Sequence, residues 1–137
     1  MLDARVQRAD VDGVPVFWAE KPEPGPLQAS LMFRVGKIDE TLPTNDITHL
    51  LEHIVLHGVD RSGDEIHRNG HVATGMTSFD IVGEPSEVVR FLGGVCAGLV
   101  EPPVQHLDHE SRVLEAEAAR SSANAATHLM FRRFDPS

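Results

Sequence analysis

The apolar residues of this chain change their spacing along its length, and that change decides which folds are open to it. From Val14 to Glu20 the sequence VPVFWAE alternates and is rich in β-branched and aromatic side chains, the pattern of a strand, with an Asp-Gly turn before it. The prolines of KPEPGP, Lys21 to Pro26, cannot continue that strand, because proline lacks the amide proton a ladder needs. QASLMFRV, Gln28 to Val35, reads as a second strand ended by Gly36, and the two strands are expected to pair antiparallel across the proline loop. From Ile47 the period becomes helical: Ile47, Leu50, Leu51, Ile54 and Val55 fall on one face. Thr44, Asn45 or Asp46 can accept the first free amide protons, and Gly58 suits a left-handed cap, so a helix is expected from about Asp46 to His57.

Two further short strands are expected over Val72–Thr77 and Phe79–Gly83, then a helix from Pro85 through Leu99, broken by Glu101–Pro103 (EPP). A long helix should run from about Val104 to Ala126. Elements in this order specify an α+β fold, an α/β sandwich with helices packed on a mostly antiparallel sheet. At 137 residues the chain is most naturally one domain.

Charge and composition narrow the function. A formal net charge of -9 argues against nucleic acid, whose phosphates call for clustered Lys and Arg. The N-terminal MLDARVQRADVDG shows no apolar run of a secretory signal. Phe91 to Val100 (FLGGVCAGLV), the longest uncharged apolar run, is about half of what spans a bilayer. The lone Cys96 excludes an internal disulfide and, lying in that run, is expected to be buried and inert. A cytoplasmic protein without membrane contact is the expectation.

The chemistry concentrates in ITHLLEHIVLHG, Ile47 to Gly58. His49 and His53 stand one helical turn apart on one face and can hold one metal ion between their imidazoles. Glu52, adjacent to His53 and three residues from His49, would lie beside that ion, placed to take a proton from water as a general base. Catalytic zinc takes three protein ligands, so a third must come from elsewhere. Glu110 and Glu117, seven apart on the long helix, share a face, and one could reach the metal while the other supports the site or the water; Glu115 points elsewhere. His57 extends the histidine ladder by another turn and offers a three-histidine metal face as an alternative, at the point where Gly58 should end the helix. His67, His71, His106, His109 and His128 belong to no motif and are expected at the surface or in structural roles.

With HLLEH in the H-x-x-E-H order, the chain resembles the pitrilysin/insulinase family of zinc peptidases, which includes the mitochondrial processing peptidases. FRVGKIDE (Phe33 to Glu40) precedes the motif, Gly58 follows it, and GHVATGMTS (Gly70 to Ser78) matches a glycine-led strand ending in Thr-Ser. VLEAE, Val113 to Glu117, fits the family's distal ligand pattern, with Glu110 at its supporting glutamate. The resemblance implies that His49, His53 and Glu117 bind Zn2+, that Glu52 is the base, and that Glu110 supports the site. Two positions depart from the pattern: Asp46 stands where the family has glycine, and Thr74 is read at the place of a usual asparagine.

Family members are larger, and two α/β units close around the peptide. The chain therefore reads as the metal-bearing front part of one domain, expected to hydrolyse peptides as a zinc metalloendopeptidase after assembling with itself or with a second peptidase-like subunit. The alternative is a catalytically inactive, peptidase-derived module that binds zinc or a peptide.

Overall fold

In the computed structural model residues 5–59 and 67–133 are described, residues 123–133 by their backbone alone. The architecture is α+β: among the described residues there are three α-helices and two antiparallel sheets. The first sheet is a hairpin of β1 (Gln7–Val11) and β2 (Val14–Trp18), joined through Asp12 and Gly13, whose φ values of 53° and 83° make the two-residue turn that an Asp-Gly pair favours. The second contains β3 (Leu27–Phe33), β4 (His67–Val72) and β5 (Thr77–Gly83) in the order β3-β5-β4.

Two strand expectations are corrected. The stretch beginning at Val14 does not pair with the one beginning at Gln28. The tight turn at Asp12–Gly13 gives β2 a neighbour in β1 instead, and β3 pairs with β5, Leu31 opposite Phe79. Nor do residues 72–77 form one strand: Val72 ends β4, Thr77 begins β5, and residues 73–76 turn the chain between them, closed by Ala73 N–H donating to Met76 O at 2.8 Å. The strand lies earlier, in the polar HRNGHV, because β4 is an edge strand with alternate residues exposed and needs no run of β-branched side chains.

Helices α1 (Ile47–Gly58) and α2 (Pro85–Val100) lie on the three-stranded sheet, with α3 (Leu107–Arg133) beside α1. The core joins Val55 of α1 and Val59 just after it, Phe79 and Ile81 of β5, and Val88, Phe91 and Val95 of α2. Ala29 and Leu31 of β3 pack against it, while Gln28, Ser30 and Met32 face away and are exposed, the alternation of a sheet covered on one side. Because α2 buries only a stripe, Cys96 falls on its outer face and is exposed, contrary to the buried position expected from its apolar surroundings. The long helix begins at Leu107, after a 3-10 turn over Val104–His106, and runs on to Arg133. No helix among the described residues is long and apolar enough to cross a membrane.

The start of α1 is held differently from the local signals. Asp46 adopts φ 63° and ψ 11°, the left-handed region that favours glycine and that aspartate tolerates better than most residues. Neither it nor its neighbours cap the helix by a side chain. Glu40 does so from outside, its carboxylate accepting the amides of Asp46 at 2.8 Å and Thr48 at 2.9 Å. At the other end Gly58 is the last helical residue and not a left-handed cap, which keeps His57 on the helix.

Hydrogen bonds from Thr48, through its side chain and amide, hold the Glu40 carboxyl below its usual value of 4.5. The folded pKa is depressed, so the cap stabilises fully above the unfolded pKa and is lost as pH falls through the folded one. Glu40→Ala should cost about 1 kcal/mol in urea unfolding at neutral pH. The gap between variant and parent should narrow as pH drops below 4.5.

Candidate metal centre

Helix α1 sets His49 and His53 one turn apart, and their Nε2 atoms come within 3.2 Å. Two ligands of one tetrahedral ion, at bond lengths of about 2.0–2.1 Å, stand about 3.3 Å from each other, so the imidazoles are already spaced to share zinc. Two nitrogen lone pairs this close repel unless a cation or a proton lies between them. The ring planes stand nearly perpendicular, at 78°.

Helix α3 brings Glu117 to the same place, its Oε2 3.9 Å from His53 Nε2. One ligand atom from each of His49, His53 and Glu117 lies within 4.8 Å of the others. Glu52 Oε2 approaches from the sheet side, 3.7 Å from His49 Nε2 and 3.9 Å from His53 Nε2. Glu115, on the same helix as Glu117, is exposed and outside this group.

Glu110 lies behind the cluster and is 5% exposed. Its Oε2 is 3.2 Å from His53 Nδ1 and its Oε1 2.6 Å from His57 Nδ1, so it accepts an N–H from each ring. A His53 that donates its Nδ1 proton keeps the Nε2 lone pair for a metal, and its ring cannot swing away. Burial pushes the Glu110 carboxyl up, but hydrogen bonds from His57 and His53 and the charges on those rings outweigh it and hold it below the usual carboxylate range. His49 is pushed the other way from a charged imidazole: burial, then the neighbouring His53, lower its pKa and favour the neutral form that ligates.

Glu52 is 5% exposed, and burial raises its pKa, with Glu117 and Glu110 adding in the same direction against His53 and His71. A raised carboxyl suits a general base that must take and return a proton near neutral pH. Its resting place depends on Gly70 of β4, because a Cβ built there would overlap the Glu52 carboxylate. This gives the glycine that leads the matched strand a physical reason.

The structure thus brings His49, His53, Glu117, Glu52 and Glu110 together. Thr74, read as standing at the asparagine position, is in the turn after β4, where its carbonyl accepts the Ile38 amide at 2.7 Å. The asparagine beside the site is Asn69, which lines a cleft with Glu52, His53, Leu56, His57 and Glu110. Sequence reasoning missed it because the strand was placed too late; with β4 starting at His67, Asn69 directly precedes the glycine that faces Glu52. His57, the next rung of the histidine ladder, lies on the far side of Glu110 and is joined there by His109 and, stacked on His57, by His106, two residues that the sequence placed in no motif.

No family model matches the sequence, and no curated protein matches it. Among solved structures the fold is similar to the crystal structure of pitrilysin, with a TM-score of 0.69 over 87% of this chain at 19% identity. The chain spans 14% of that pitrilysin chain. The likeness shows a pitrilysin-like fold.

Two substitutions probe this geometry. Gly70→Ala should destabilise the chain by about 1–3 kcal/mol in thermal or urea unfolding, since its methyl group must displace Glu52. Glu110→Ala, which leaves His53 without its Nδ1 partner, should weaken zinc affinity about 10–100-fold in a chelator-competition titration. An unchanged affinity would remove Glu110 from any role in orienting His53.

Proposed function

We propose that this chain is the zinc-bearing part of a metalloendopeptidase of the pitrilysin/insulinase type, with His49, His53 and Glu117 as metal ligands and Glu52 as general base. The observation that carries the reading is the convergence of those three ligand atoms with a buried, raised carboxyl beside them. The pitrilysin-like fold supports the same general kind of protein.

Zinc at this site would supply a Lewis acid that polarises a peptide carbonyl and acidifies water. The chain's own residues do the rest. His53 is held in the ligating tautomer by Glu110. Glu52, kept from solvent by its packing on β4, takes the proton of the attacking water and passes it to the leaving amine.

We propose further that hydrolysis requires a second peptidase-like unit, either another copy or a distinct subunit. The chain spans 14% of the pitrilysin chain it resembles. The β1–β2 hairpin also exposes Val16, Phe17 and Trp18 at 38%, 62% and 41%, and a two-stranded hairpin is marginal unless something packs on it.

The test is cleavage of unstructured peptides by the zinc-loaded protein, assayed alone and with its assembly state measured by sedimentation. Glu52→Gln should retain zinc and lose at least about 100-fold in rate. Undiminished cleavage by that variant would refute the base assignment. Zinc uptake without cleavage in any assembly state would favour the inactive zinc- or peptide-binding module instead.

A further inference from the structure

We propose a second divalent-cation site at the end of α1, formed by His57, His109 and Glu110, separate from the centre at His49, His53 and Glu117. Its ligand would be a borderline first-row ion of the kind that imidazole and carboxylate together select, with Zn2+, Ni2+ and Cu2+ as the candidates.

The geometry is that of a donor set converging on one carboxylate oxygen. Glu110 divides its two oxygens between two sides: Oε2 faces His53, and Oε1 faces away from the first centre toward His57. His57 Nδ1 is 2.6 Å from Oε1 and His109 Nε2 is 3.9 Å from the same atom. One ligand atom from each of the three residues lies within 4.8 Å of the others. The distance from His109 is too long for a hydrogen bond, so that ring is free to turn its lone pair to an ion, and His57 would release its Nδ1 proton to solvent as the ion takes its place beside Oε1. His106 stacks on His57 with centroids 4.1 Å apart and planes 28° from parallel, and His109 meets His57 edge-on at 5.7 Å and 75°. Two imidazoles thus meet one oxygen of a buried carboxylate, and a third stacks behind the nearer one.

Local sequence explains how they meet. His57 continues the ladder of His49 and His53 by one more turn, because α1 does not stop before it. His106 and His109 sit three residues apart where the chain enters α3, the helix that also carries Glu110 and Glu117. The site would therefore clasp the end of α1 to the start of α3.

The side chains of His57 and His109 are 37% and 67% exposed, which leaves the site open to solvent and its ion exchangeable. Glu110 also couples the two centres. A cation on Oε1 draws charge from the carboxylate that holds His53, so each ion weakens binding of the other.

The experiment uses the whole chain, stripped of metal with chelator and titrated with zinc chloride alone by calorimetry, the stoichiometry checked by elemental analysis after dialysis. The expected result is two ions per chain of unequal affinity. His109→Ala, a largely exposed position whose folding is verified by circular dichroism, should lose the weaker ion or weaken it at least tenfold while the tighter one remains. Glu117→Ala should do the reverse. If the first centre does not bind metal, the parent takes up one ion, which His109→Ala loses and Glu117→Ala keeps, so the two readings fail independently. The second site is overturned if His109→Ala binds as many ions as the parent, with the same affinities.

Discussion

Everything near the candidate centre depends on one buried carboxylate. Glu110 sits between α1 and α3 and accepts an N–H from a histidine on each of two successive turns of α1. An isolated carboxylate in that position would be costly, since burial penalises its charge. Two imidazole donors offset the penalty and at the same time lock two rings. The interaction that fastens α3 to α1 is thus also the one that aims His53. Removing it would leave the ligand triad intact in sequence and loose in space.

The sheet acts on the same cluster from the opposite side. Edge strand β4 presents Gly70 to Glu52, and the absent side chain is what lets the carboxylate lie against the strand. Similar close packing fixes the entry to α1. Gly36 has no room for a Cβ against the backbone of the β4–β5 turn, and the segment that follows it carries Glu40 to the helix start. Sheet turn, glycine, acidic cap and histidine helix therefore form one mechanical sequence. This is why the motif alone does not define the site.

What the sequence made legible were features governed by short-range spacing. The turn-to-turn geometry of His49 and His53 follows from helix periodicity, and so does the shared face of Glu110 and Glu117. The α+β class followed from the change of apolar period and was borne out. Partner choice between strands was not legible from neighbouring turn signals, because pairing of β3 with β5 brings together residues separated by the whole of α1. The edge strand HRNGHV was invisible for a related reason: half of it faces solvent, so burial imposes no apolar alternation. Asn69 went unseen with it. Capping by Glu40 was hidden in the same way, since a cap supplied from six or eight residues away leaves no local signature.

The charge balance of the cluster supports the zinc proposal. Glu52, Glu110 and Glu117 lie within reach of His53, two of the three being buried. Hydrogen bonding accounts for Glu110, which stays ionised. It does not account for Glu52, whose carboxyl is raised by burial and again by the other two carboxylates. A fold selected only for stability would place a neutral or apolar side chain there, because the two imidazoles at 3.7 Å and 3.9 Å are too far from the Glu52 carboxylate to hydrogen-bond it and offset its burial poorly. A proton between the two Nε2 atoms satisfies the histidine pair but leaves the three carboxylates uncompensated. A divalent cation held by His49, His53 and Glu117 would replace that proton and offset the negative charge as well.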